Sequence, residues 1–324
     1  MRRREFNALV GAVTAWPLAA RAQQLNKSPT IGFLGSTSRS AAAPWVRAFQ
    51  QRLRELGWDE GRNVTIEYRW GEGRGDRFAE IAAEFIKLKV DVIITAGGAV
   101  PAAKRETTLV PIVFAVASDP VGGGLVDSLA HPGGNVTGLS LQLGDTASKR
   151  LEILHEILPQ MRRLAVLANA GYRASVLETR EVQALAQKVG LETIPLEVRR
   201  MEDIAPALEA IKSRADAIYV AADPLLTNNR IHIGALALQA RLPTVNGARE
   251  YVEAGGLLSY GASYSDLYRR AAEFVDKILR GEKPSNIPVE QPTKFELVVN
   301  LNTARTLDLH VPEAFLLRAD EIIE

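Results

Sequence analysis

The chain has 324 residues, with 39 basic and 38 acidic side chains and a net charge of +1. So even a balance, without long single-sign blocks, lacks the clustered basic footprint of a nucleic-acid binder. The absence of cysteine excludes disulfides, thiolate metal sites and cysteine nucleophiles, and His131, His155, His232 and His310 are scattered without metal-ligand spacing, so neither a metal nor a cofactor is expected.

The first residues carry the parts of an export signal. Arg2-Arg3-Arg4-Glu5-Phe6 is a basic start with paired arginines, followed by an apolar run from Ala8 to Ala20 and then Ala20-Arg21-Ala22. That run is about 13 residues, short of the roughly 20 that span a bilayer as a helix. The paired arginines, and Arg21 beside the cleavage point, fit a twin-arginine-like route. Residues 1–22 are therefore expected to be a signal peptide, cleaved near Ala22, that delivers the protein to the periplasm. No cysteine follows, which excludes a lipid anchor there.

From Thr30 the chain alternates β-rich runs with helical patterns. Thr30 to Gly35 predicts a strand, and Trp45, Val46, Phe49, Leu53 and Leu56 recur at helical spacing before Gly57. Val64 to Tyr68 is the next strand, then a helix carrying Phe78, Ile81, Ala82, Phe85 and Leu88. Val90 to Thr95 and Pro111 to Val116 are further strands. The turn-rich cluster His131-Pro132-Gly133-Gly134-Asn135 interrupts the pattern before Val136 to Leu139. It restarts with strands at Leu164–Ala168, Leu191–Leu196, Ala217–Ala221, Leu242–Val245 and Gly256–Tyr260.

Such alternation predicts an α/β fold with right-handed crossovers and mostly parallel sheets covered on both faces. Two successive series argue for two doubly wound lobes rather than one sheet of ten strands. A helix over Leu267 to Leu279, a Pro-marked connector, a strand over Phe295 to Val299 and a short helix from Asn302 are too little for a third domain. They are expected to return to the existing lobes and make a multi-strand hinge. The expected division is 29–141 plus 262–282 for the first lobe and 142–261 plus 283–324 for the second.

Ligands of open α/β sheets bind beyond the carboxyl ends of the strands. Those ends here are Ser36-Thr37-Ser38, Ala96-Gly97, Ser118-Asp119, Asn169, Asp223 and Asn246, with Glu250 close behind. Hydroxyls and helix-start N–H groups suit a carboxylate, while Asp119, Asp223 and Glu250 suit an ammonium. Singly, each of these residues is a helix cap before it is a ligand contact. Tyr172 and Tyr260 are candidates to stack on a ligand, ahead of Trp45 and Tyr219. Neither a phosphate-loop spacing nor a Gly-x-Ser-x-Gly elbow occurs, and no catalytic residue is assigned.

Several strings carry a resemblance that runs over essentially the whole chain. They are the signal with Trp16 to Gln24, Ile31-Gly32-Phe33-Leu34-Gly35-Ser36, Ala117-Ser118-Asp119-Pro120-Val121-Gly122, Pro132 to Gly138, and Arg280-Gly281-Glu282-Lys283-Pro284. With them the chain resembles a type I periplasmic binding protein. More narrowly it is similar to the ABC-transporter substrate-binding family that includes tryptophan/tyrosine-type uptake receptors. The resemblance implies a monomeric, non-enzymatic receptor. It would close two lobes on a small amino-acid-like molecule or other carboxylate and present it to an inner-membrane permease. It places the pocket at the strand ends named above. Gly98 departs from the pattern, standing where similar proteins are expected to carry Thr or Ser, which removes a hydroxyl from the anion-holding loop. A ligand sensor for a membrane signalling partner would use the same fold and pocket, and an exported enzyme is the third reading. A repressor with such lobes would need a DNA-binding helix pair where the export signal stands.

Overall fold

The computed structural model describes residues 28–141 and 143–324, the side chains of 143–145 excepted, and the export segment expected over residues 1–22 lies outside them. Five parallel strands form the first sheet: β1 (Thr30–Gly35), β2 (Thr65–Trp70), β3 (Val92–Ala96), β4 (Ile112–Ala117) and β5 (Val136–Ser140), in the order β2-β1-β3-β4-β5. β3 and β4 are buried along their whole length, the reason both read as continuous apolar runs rather than alternation.

One face of this sheet is covered by the helices Ala43–Glu55 and Tyr264–Leu279. The first buries Trp45, Phe49 and Leu53, spaced by four on one stripe, and the second buries Leu267, Ala271, Phe274, Val275 and Ile278 against them. Gly57, at φ +95°, stops the first helix: its N–H reaches the Arg54 carbonyl and the Trp58 N–H folds back to Leu53 at 2.9 Å. Helices Gly75–Leu88 and Ala99–Glu106 cover the other face.

The second sheet has seven strands: β6 (Arg163–Asn169), β7 (Glu192–Val198), β8 (Ala217–Val220), β9 (Thr244–Asn246), β10 (Leu258–Ala262), β11 (Phe295–Asn300) and β12 (Glu321–Ile323). Their order is β12-β11-β10-β9-β8-β6-β7, and only β10 with β11 pairs antiparallel among the described strands. Helices Leu143–Ile157 and Arg173–Lys188 pack on one face, Ile204–Ala210 and Arg230–Gln239 on the other.

The chain passes between the lobes three times: after β5, after β10, and in the approach to β11. The third passage lies later than the sequence reading placed it. Residues 283–290 were expected in the second lobe, yet Ile287 and Val289 are buried in the cores of the first. Glu290 donates its N–H to the Gly138 carbonyl at 3.0 Å and accepts the Ser140 N–H at 2.9 Å. Burial of these two apolar side chains holds the connector on β5, so the return falls between Gln291 and Phe295. Among the described residues no helix is long and apolar enough to cross a membrane.

Candidate ligand site between the lobes

The loops after β1, β3 and β4 meet those after β6 and β8 around one cavity. The lobes touch directly across it. Ser38 donates its N–H to Oδ1 of Asn228 at 2.8 Å, and the Trp45 indole N–H donates to Oε1 of Glu250. The Tyr172 ring lies on the Gly97-Gly98 backbone so closely that a Cβ at Gly98 would stand 2.9 Å from its Cε2. This is a closed arrangement, and the missing side chain at Gly98 gives the Tyr172 ring its place.

Polar groups enter the cavity from both sides. Ser36, Thr37 and Ser118 bring hydroxyls from the first lobe, and Thr227 and Asp223 line it from the second. Asp223 is 5% exposed. It caps the helix Pro224–Asn228 by accepting the Leu226 N–H at 3.0 Å through Oδ1, and it accepts the Asn169 amide at 3.0 Å through Oδ2. Burial raises its carboxyl from an ordinary 3.8 to about 6, against the lowering effect of those two hydrogen bonds. No Lys or Arg lines this cavity among the described residues. Asp223 is thus a buried carboxylate that lacks a cation, and a ligand ammonium would supply one.

The remaining wall is aromatic. Trp45 stacks on Tyr268 at 5.7 Å with an 18° tilt and meets Tyr264 edge-on at 5.1 Å, and all three border the cavity with Tyr172. The inner cavity measures about 50 Å3, while a cleft of about 890 Å3 adjoins it and shares Gly97, Ser118 and Tyr172 as lining.

Of the residues singled out from sequence, Ser36, Thr37, Ala96, Gly97, Ser118, Tyr172 and Asp223 come together on the inner cavity. Asn169 stands behind Asp223 and orients it. The others are placed differently. Ser38 sits at the lobe contact. Asp119 faces the outer cleft and accepts the Gly122 N–H at 2.8 Å, a turn-stabilising role. Both ends of the Asn246 amide are taken by backbone, at Val220 and Ala248. Glu250 is buried behind Trp45, and the Tyr260 ring stacks on Phe295 at 5.9 Å, away from the cavity. Sequence reasoning missed Tyr264, Tyr268 and Thr227 and ranked Trp45 low. Tyr264 and Tyr268 lie four apart at the start of a helix that follows a lobe crossing, a readable signal for one shared face.

Residues 33–323 match the family described as ABC transporter substrate binding protein, and the chain belongs to it. The match spans both lobes and every strand end that lines the cavity. A curated relative, the tyrosine-binding protein of Clostridioides difficile, is 26% identical over 284 residues, covering 87% of this chain and 82% of the relative. Among solved structures, a conserved domain protein from Vibrio cholerae superposes with a TM-score of 0.86 at 28% identity, covering 91% of this chain and 100% of that one. A Streptococcus pneumoniae ABC domain in complex with L-Trp gives 0.84 at 25% identity, covering 92% of this chain and 100% of that one.

Proposed function

We propose that this protein captures an aromatic amino acid between its lobes, outside the cytoplasm, and hands it to an ABC permease. The observation that carries the reading is Asp223, a buried carboxylate without a cation, in an aromatic-walled cavity that also presents Ser36, Thr37 and Ser118. In this reading Asp223 takes the ligand ammonium and the three hydroxyls take its carboxylate. The ring lies against Trp45 and Tyr172, and its bulk extends past Tyr172 into the adjoining cleft. The tyrosine-binding relative and the L-Trp complex support the ligand class. Export to the periplasm rests on the N-terminal residues, and delivery to a permease rests on the family. The receptor acts as a monomer and leaves its ligand chemically unchanged.

The test is a thermal-shift and calorimetric titration of residues 23–324 with L-tyrosine, L-tryptophan, leucine, simple carboxylates and sugars. A ligand at 100 times its Kd adds about 2.7 kcal/mol to stability. Saturable binding of the aromatic amino acids, with the ligand recovered intact, is the expected result. A response confined to sugars, or to none of these compounds, would overturn the reading.

A further inference from the structure

We propose that Arg150 and Glu178, a buried ion pair beneath the cavity, form a positioning unit that ties the first two lobe crossings to the loop carrying Asp223. The ligand contact at Asp223 then depends on a pair outside the inner cavity, of which Glu178 alone borders the adjoining cleft. The inference rests on the amino-acid-receptor reading for its affinity arm only.

Arg150 and Glu178 are each 2% exposed and sit on neighbouring helices, Leu143–Ile157 and Arg173–Lys188. Every part of the guanidinium is used. Nη1 donates to Oε1 of Glu178 at 2.9 Å, Nη2 to Oγ1 of Thr146 at 3.0 Å, and Nε to the Tyr260 carbonyl at 2.8 Å. The Tyr219 hydroxyl lies against Nη1 and donates to the same Oε1 at 2.8 Å. The second carboxylate oxygen, Oε2, accepts the backbone N–H of Ala222 at 2.8 Å. Ala222 is the residue immediately before Asp223.

These partners share a location. Thr146 lies in the helix that begins the second lobe after the first crossing, and Tyr260 lies two residues before Ala262, where β10 leaves for the first lobe. Arg150 lies in that same helix, so its bond to the Tyr260 carbonyl ties the segment after the first crossing to the strand end before the second, and its partner carboxylate holds the loop from which Asp223 enters the cavity. Gly247 leaves the room: a Cβ there would stand 2.5 Å from Nη2 of Arg150.

The physics argues against a stabilising purpose. Removing two charges from water costs several kcal/mol per ion, and apolar residues of similar volume often serve a core as well or better. Exchanging the pair therefore tests positioning through affinity and local exchange, read beside the stability. The double variant Arg150→Met/Glu178→Leu keeps the volume but abolishes the hold on Thr146, Tyr260 and Ala222. The milder Glu178→Gln keeps the shape and an acceptor. Three readouts are compared with wild type: the melting temperature, the Kd for L-tyrosine, and hydrogen exchange of the peptide spanning residues 221–228.

The double variant is expected to melt below wild type, because the Tyr219 hydroxyl and the Ala222 N–H lose their acceptor, to bind L-tyrosine about tenfold more weakly and to exchange 221–228 faster, while Glu178→Gln lies between. Wild-type affinity and wild-type exchange in a folded double variant would overturn the proposal. If the double variant does not fold, Glu178→Gln decides by the same two readouts. If wild type itself ignores L-tyrosine, the receptor reading fails, and unchanged exchange of 221–228 would still sink the positioning role independently.

Discussion

Asp223 and Asp119 show how one residue type at equivalent strand ends takes different roles. Both follow a strand, and both accept a backbone N–H from the turn they begin. Burial separates them, since Asp223 is buried against the inner cavity and Asp119 is exposed. Asp223→Ala is expected to cost about 2–5 kcal/mol of ligand affinity, the usual effect of deleting one partner of a buried charge pair. Asp119→Ala should leave affinity at its wild-type value, and calorimetry on the two variants checks both statements.

The raised carboxyl of Asp223 also sets a pH dependence with a definite sign. In the empty protein its pKa lies above the unfolded value, so its protonation contributes stability that is complete below about 4 and is lost as pH rises through about 6. Glu250, also raised by burial, acts in the same direction. Ligand binding runs the opposite way, because an ammonium needs the ionised carboxylate. Melting of the empty protein should fall, and affinity for the amino acid should rise, across the interval from about pH 4 to about 6. Asp223→Asn is expected to flatten the affinity profile and to leave the Glu250 part of the stability profile in place.

Among the elements, those bound to the interior by many apolar side chains were the most legible. The helix Tyr264–Leu279 announces itself through Leu267, Ala271, Phe274, Val275 and Ile278, and all are buried. Phe274 lies in the core with Phe49 and Leu53 of the facing helix. Phe274→Ala should therefore destabilise the protein by about 3–5 kcal/mol, read from urea unfolding. Short or irregular pieces were less legible. β12 is a strand of three half-exposed residues, Glu321–Ile323, that exists through its parallel pairing with β11. The stretch from Lys283 to Glu290 reads as a Pro-marked linker, and its place is decided by Ile287 and Val289 finding the first lobe. A hydrophobic pattern says that a residue will be buried, and does not say against which lobe.

At the scale of the molecule, closure is held by few polar contacts, and one of them spans the aromatic wall. The Trp45 indole N–H satisfies Glu250 from the opposite lobe, while Oε2 of that carboxylate is buried without a partner. Trp45→Phe keeps a ring in the wall and takes the indole donor from the buried Glu250. The closed form then loses about 1–3 kcal/mol relative to the open one, where water can reach the carboxylate. Small-angle scattering should show a larger radius of gyration for the empty variant than for wild type, and ligand affinity should fall in step. An unchanged radius and affinity would mean that the pair persists through opening and contributes nothing to closure.

By itself the sequence determined the two α/β series, their strand ends and the pool of residues from which the cavity draws. Those properties follow from local periodicity and from the rule that open parallel sheets bind at their carboxyl edges. It also carried the family, in strings spread over the whole length. Only the tertiary structure decided which members of the pool meet. Asp223 and Tyr172 are brought against Ser36 and Ser118 by lobe closure, with Asn169 behind Asp223, while Asn246, Glu250 and Tyr260, with the same residue chemistry, are spent on backbone, on Trp45 and on Phe295. The Arg150–Glu178 pair was invisible for the same reason. Its partners come from β8 and the loop after it, from β10 and from two neighbouring helices, 28 to 110 residues from Arg150 apart from Thr146, and no spacing in a sequence encodes a distance that long-range packing alone creates.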